Sequence, residues 1–269
     1  MRMLVVDAFT DRPFAGNPAG VCLLPDAADP AWMQRVAAEM KHSETAFVRP
    51  VDDPDGGFEL RWFTPLTEVA LCGHATLAAA HALFDTGTAD PGAPIRFRTR
   101  HSGVLTVRRD ADGLSMDFPA APPERIDVPD GLAAALGARI RWAGRNAQND
   151  VLAEVADEAA VRALVPDVAA LAAVDARGVI VTAPAGGDAG HDFVSRFFAP
   201  RVLPGDAEDP VTGSAHCALG PFWAARFGRG ALTGHQASAR GGLVRVALHG
   251  DRVVLSGSAV TVLDGTFRG

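Results

Sequence analysis

Two glycines, each placed just before an apolar stretch, mark where this chain could do chemistry. Leu71-Cys72-Gly73-His74-Ala75 runs into Thr76 to Phe84, and Val211-Thr212-Gly213-Ser214-Ala215 runs into His216-Cys217-Ala218. A glycine there lets a ligand approach the backbone closely, and the first N–H groups of a helix have no internal partner. With the helix dipole added, such a start holds an anion, and a carboxylate suits it. One such turn alone would read as a tight turn onto a core helix. Thr76 to Phe84 is apolar on nearly every side, so that helix must be buried all round. Pro221 falls inside the second expected helix, which is therefore kinked or begins differently.

Composition narrows the chemistry. The 269 residues are 48% hydrophobic and 21% charged, enough to bury a full core. Lys41 is the only lysine and tyrosine is absent, so Schiff-base chemistry has one candidate and no phenol can act as acid or base. Cys22, Cys72 and Cys217 are too few and too widely spaced for a disulfide framework or a zinc pattern, and no metal is expected. The net charge of −7 with no Lys/Arg cluster argues against nucleic acid as a partner. No 18-residue apolar run and no signal-peptide pattern occur, so a cytoplasmic protein without a membrane partner is expected.

The elements that must position these residues recur at an offset of about half the chain. Phe58-Glu59-Leu60-Arg61-Trp62-Phe63-Thr64-Pro65 lines up with Phe193-Val194-Ser195-Arg196-Phe197-Phe198-Ala199-Pro200. Glu68 to Ala75 answers Glu208 to Ala215, and Ser102 to Val107 answers Gly241 to Val246, followed by turns at Asp112-Gly113 and Gly250-Asp251. Pro30 to His42 predicts an amphipathic helix with Trp32, Val36 and Met40 on one face, and Glu158 to Leu164 takes its place in the second half. Strands flanking isolated helices predict an α+β fold with mostly antiparallel or mixed sheets. The expected organisation is an N-terminal lobe over 1–118, a linker over 119–129 and a C-terminal lobe over 130–269, with the crossover of terminal strands open. An active site between the two copies is expected. No G-x-G-x-x-G or P-loop pattern supports a nucleotide.

Further motifs sharpen this. Val6-Asp7-Ala8-Phe9-Thr10, Gly16-Asn17-Pro18-Ala19-Gly20-Val21 and Ser43-Glu44-Thr45-Ala46-Phe47 precede Leu71 to Thr76 and Asp209 to His216. As an ordered set they resemble the PhzF-like (phenazine-biosynthesis) family, within the diaminopimelate epimerase-like fold. The resemblance implies two pseudo-symmetric lobes, each a sheet wrapped round a central helix. It also implies isomerase chemistry without metal or organic cofactor, and often a homodimer. In that family a glutamate of the Ser-Glu-Thr motif moves a proton between carbons, a role that maps onto Glu44.

Residue chemistry agrees. A carboxylate at the edge of a buried strand can take a proton from an activated carbon and return it elsewhere. Ala176-Arg177-Gly178, the matching region of the second half, has no carboxylate. His74 at a helix start is expected to be neutral, donating to substrate or relaying a proton. Asp209 is read as orienting His74 or binding an amine. Ser214 and Thr212 are candidate donors to a carboxylate beside Gly73 and Gly213, and Asn17 and Ser43 are weaker contacts. Cys72 stands where related racemases carry one of two opposed cysteines, but Thr212 holds the second position and is too weak an acid. The leading expectation is a cofactor-independent isomerase acting on a small carboxylate-bearing metabolite. An epimerase using Cys72, or a non-catalytic acid-binding protein, remains beside it.

Overall fold

The structure is a computed structural model and describes residues 1–51, 56–111, 113–187, 189–203 and 207–269. Asp112 of the expected Asp112-Gly113 turn lies outside them. In chain order the elements begin with β1 (Arg2–Ala8), β2 (Asn17–Leu23), α1 (Pro30–Met40), β3 (Glu44–Pro50), β4 (Phe58–Phe63) and β5 (Glu68–Val69). There follow α2 (Gly73–Asp85), β6 (Ile95–Arg98), β7 (Val104–Asp110), β8 (Gly113–Pro119), β9 (Glu124–Arg125) and α3 (Leu132–Leu136). Next are β10 (Trp142–Arg145), β11 (Asp150–Glu154), α4 (Glu158–Arg162), α5 (Val168–Ala173), β12 (Gly178–Pro184) and β13 (Phe193–Phe198). The chain closes with β14 (Glu208–Asp209), α6 (Gly213–Phe227), β15 (Ala231–Gln236), β16 (Gly242–His249), β17 (Arg252–Gly257) and β18 (Ala259–Thr266). No helix among the described residues is long and apolar enough to cross a membrane.

Two compact units result, Met1–Asp117 with Ser256–Gly269, and Phe118–Leu255. The crossover of terminal strands that the sequence left open lies at the C-terminal end. The last strand does not stay with the second half: β18 pairs antiparallel along β1, from Arg2 opposite Thr266 to Ala8 opposite Ala259. Arg2 and Asp264 tie the same two strands by an ion pair at 2.7 Å. Nor is 119–129 wholly a linker, because Glu124 and Arg125 pair with β10. Hydrophobic pattern cannot reveal such pairings, since a strand reads alike whichever neighbour it takes.

The first unit is an α+β layer with mixed pairing. β1 runs antiparallel to β2, β2 parallel to β3, and β3 antiparallel to β4, which then pairs antiparallel with β5 and parallel with β6. Helix α2 packs against β1, β2, β3 and β18. Every residue from His74 to Ala80 is buried, as are Ala82, Leu83 and Phe84, as an all-apolar helix requires. Helix α1 is capped by the Asp29 side chain on Ala31 N–H at 3.1 Å and ends at Lys41, whose φ is 57°. Its fully buried face is Met33, Val36 and Ala37, flanked by partly buried Trp32 and Met40. Trp32 meets Phe47 edge-on at 6.0 Å, and Phe47 meets Phe63 at 5.5 Å.

The second unit repeats the order. β10 pairs antiparallel with β11, β11 parallel with β12, and β12 antiparallel with β13, which then pairs with β14 and, in parallel, with β15. Between β11 and β12, where the first unit has α1, stand α4 and α5. Helix α6 packs on β15 and β16. It runs through Pro221, which has no N–H for the Cys217 carbonyl. The Ala121 N–H donates to that carbonyl instead, at 2.9 Å, so the helix continues without an orphaned acceptor.

Each unit also repeats one ion pair. Arg61 of β4 grips Glu68 of β5 with two bonds of 2.8 and 2.9 Å, and Arg196 of β13 grips Glu208 of β14 with two of 2.7 and 2.8 Å. Both guanidinium groups lie over a phenylalanine two residues on, Phe63 at 5.2 Å and Phe198 at 4.9 Å. The pair anchors the short strand that leads into each glycine turn. Arg196→Met should cost about 3 kcal/mol in urea unfolding because it strands a carboxylate that is mostly buried. Arg196→Met with Glu208→Leu should cost distinctly less. A double variant no more stable than the single one would remove the ion pair from this role.

Candidate functional site

In the first unit the site begins at Gly16. Its φ is +65°, and a Cβ there would stand 2.1 Å from the Ala8 carbonyl oxygen, so only glycine fits. The turn delivers Asn17, fully buried, to the start of β2. Ser43 Oγ lies 3.4 Å from Asn17 Oδ1, a long hydrogen bond across to the turn before β3. Glu44 then opens β3, paired in parallel register with Ala19.

Cys72 is the N-cap residue of α2, with φ −146° and ψ 110°. Its carbonyl accepts from the Thr76 N–H at 3.1 Å and the Thr76 hydroxyl at 2.6 Å. Its side chain makes no cap bond. The thiol turns instead to His74 Nδ1, 3.4 Å away. On the other side of the imidazole, Nε2 stands 3.4 Å from Glu44 Oε2, in contact but without a well-formed hydrogen bond. Donor atoms of Glu44, Cys72 and His74 all fall within 4.8 Å of one another.

Burial governs the charges. His74 is 5% exposed, and its pKa is pushed down to about 3, first by desolvation and then by repulsion from His42. It is a neutral imidazole in the physiological range. Glu44 keeps 15% of its side chain exposed, enough to meet a ligand. The arrangement sets a carboxylate and a thiol against a neutral imidazole, the carboxylate at Nε2 and the thiol at Nδ1. Those are the parts of a proton-transfer site.

The second unit contains Asp209, Thr212, Gly213 and Ser214, and uses them differently. The Thr212 hydroxyl donates to Asp209 Oδ2 at 2.5 Å, and its N–H donates to Gln236 Oε1 at 2.8 Å. Gln236 also donates to the Asp209 carbonyl at 2.7 Å. Thr212 therefore organises the turn, and its hydroxyl proton is directed at Asp209 rather than outward. Buried His216, one turn into α6, bonds the Thr212 carbonyl through Nδ1 at 2.8 Å. It is a packed core histidine with its pKa lowered to about 4 by desolvation, partly countered by that bond.

Arg177, which sequence reasoning named only for its lack of a carboxylate, reaches the second helix start. It donates to Ser214 Oγ at 3.1 Å and to the fully buried Asp150 at 2.6 Å. Asn146 supports Asp150 at 3.2 Å. The signal was present: Arg177 immediately precedes Gly178, the residue that opens β12 as Glu44 opens β3. One glycine-turn helix thus starts beside a carboxylate and the other beside a guanidinium.

A family model described as phenazine biosynthesis-like protein, PhzC-PhzF, matches residues 6–265. The chain is 47% identical over 260 residues to an uncharacterized isomerase of Halalkalibacterium halodurans, covering 96% of this chain and 95% of the relative. It is similar to the crystal structure of a PhzF-family phenazine biosynthesis protein from Enterococcus faecalis, with 40% identity, a TM-score of 0.90, and coverage of 98% and 97%. A hydroxyproline epimerase from Agrobacterium vitis, 13% identical with a TM-score of 0.62 and coverage of 98% and 91%, shares the fold.

The buried imidazole sets a pH test. His74 stays neutral in the fold down to about pH 3, whereas the unfolded histidine takes up a proton below 6.5. Between these values the unfolded chain binds more protons, so stability falls as pH falls. His74→Gln should remove about one proton from that slope, or ~1.4 kcal/mol per pH unit, in urea titrations between about pH 4 and 6. Identical slopes for the two proteins would contradict the buried neutral state.

Proposed function

Because the chain belongs to the phenazine biosynthesis-like PhzC-PhzF family, we propose that it is an isomerase that moves a proton within a small carboxylate-bearing metabolite. Glu44 is the acid/base. The observation that carries this reading is the Glu44 carboxylate at the start of β3, 3.4 Å from the buried Nε2 of His74. In this mechanism Glu44 takes a proton from a carbon next to an activating group. Charge develops on the substrate as the proton leaves. A neutral His74 and the first N–H groups of α2 can stabilise that charge without a competing proton on the imidazole. Glu44 returns the proton at another carbon. The step needs no redox change and no organic cofactor. Asn17 and Ser43 hold the strand starts that fix Glu44 in place. In the second unit, Ser214 with Arg177 and the Gly213 N–H suits an anionic group, consistent with an acidic substrate.

A specific contact supports a second reading. Cys72 Sγ lies 3.4 Å from His74 Nδ1, which suits a thiol acting as a further acid/base in an epimerase. Loss of turnover on Cys72→Ser would favour it, and unchanged turnover would remove it.

The test starts from small amino and hydroxy acids screened for thermal stabilisation, followed by proton exchange of the binders in deuterium oxide. Wild-type protein should introduce deuterium into a stabilising acid. Glu44→Gln should bind and remain folded while exchange falls by about 10²–10⁴-fold, the range for loss of a general acid/base. Full exchange in Glu44→Gln would exclude the assignment.

A further inference from the structure

The three groups at the start of α2 form a donor set that the sequence did not suggest, because Glu44 is distant in the chain from Cys72 and His74. We propose that Glu44, Cys72 and His74 bind a single zinc ion with the fourth position open, and that the ion thereby blocks the acid/base chemistry of the same groups. Zinc bonds of about 2.0–2.3 Å to S, N and O place neighbouring tetrahedral ligands about 3.5 Å apart. The 3.4 Å separation of Cys72 Sγ and His74 Nδ1 is already such an edge. Glu44 Oε2 faces the other ring nitrogen, Nε2, at 3.4 Å, but one donor atom from each of the three residues lies within 4.8 Å of the others, so rotation of the Glu44 side chain away from Nε2 completes the face.

The chemistry selects the metal. A thiolate, an imidazole and a carboxylate favour zinc over magnesium or calcium, which take oxygen ligands. Thiolate and carboxylate together balance the dication where the helix dipole would otherwise oppose it. The Cys72 S–H bond breaks on binding, with its proton released to buffer as the Zn–S bond forms and no change of oxidation state. The other two thiols compete poorly, since burial raises Cys22 to about 11 and Cys217 to about 12.

The inference needs only these donors, so its test uses no substrate and stands apart from the isomerase assignment. Metal-free full-length protein is titrated with zinc chloride by calorimetry and with cobalt(II) in an absorption cell. One equivalent of each should bind, cobalt should give a thiolate charge-transfer band, and zinc binding should release a proton. Cys72→Ser should lose the band and weaken zinc by more than the ~100-fold that loss of an outer partner costs. Glu44→Gln should keep the band with weaker binding, and it decides the matter if the cysteine variant does not fold. Absence of the band in the wild type, or zinc binding unchanged in either folded variant, would overturn the proposal.

Discussion

Helix α2 buries residues all round its surface, so strands must close about it, and its first turn goes dry with the rest. That constraint sets the chemistry of the first unit. A histidine in the second position of such a helix cannot keep a proton, because desolvation outweighs other influences on it. Cys72, at the N-cap, is bound by its carbonyl to Thr76, which leaves the thiol to face the imidazole. Glu44 arrives from β3, one of the strands packed on the helix. A buried helix thus brings three ordinary side chains into contact.

The duplication explains both what the units share and where they part. Strand order, the Arg–Glu clasp and the glycine turn are common to the two. The side chains around the helix starts are not. In the first unit a carboxylate and a neutral imidazole face each other. In the second, Arg177 is held by buried Asp150 and reaches Ser214, while Thr212 is tied to Asp209 and Gln236. The positions the two units share carry packing and ion pairing. The groups beside the two glycine-turn helix starts differ in charge, a carboxylate at one and a guanidinium at the other.

Much of this was legible in the chain. The all-apolar run from Thr76 announced a wrapped helix, and the repeated Phe-x-x-Arg strands announced the duplication. Glu44, Cys72 and His74 were each identified, though their mutual contact was not, since it depends on the register of β3 against β2. Three features were hidden for physical reasons. The return of β18 to β1 is a long-range pairing with no local signal. Rescue of the Cys217 carbonyl by Ala121 depends on a backbone group whose position no residue type encodes. Arg177 was overlooked because a charged residue at a strand entrance reads as a solvated end until a buried partner such as Asp150 is seen.

Proton transfer beside Glu44 depends on a neutral His74, and nitrogen NMR of histidine-labelled protein reads that state directly. Across about pH 5 to 8, where an ordinary histidine titrates, a buried neutral His74 predicts an unchanging imidazole with one protonated nitrogen. An imidazolium at neutral pH, paired as a cation with Glu44, would contradict it.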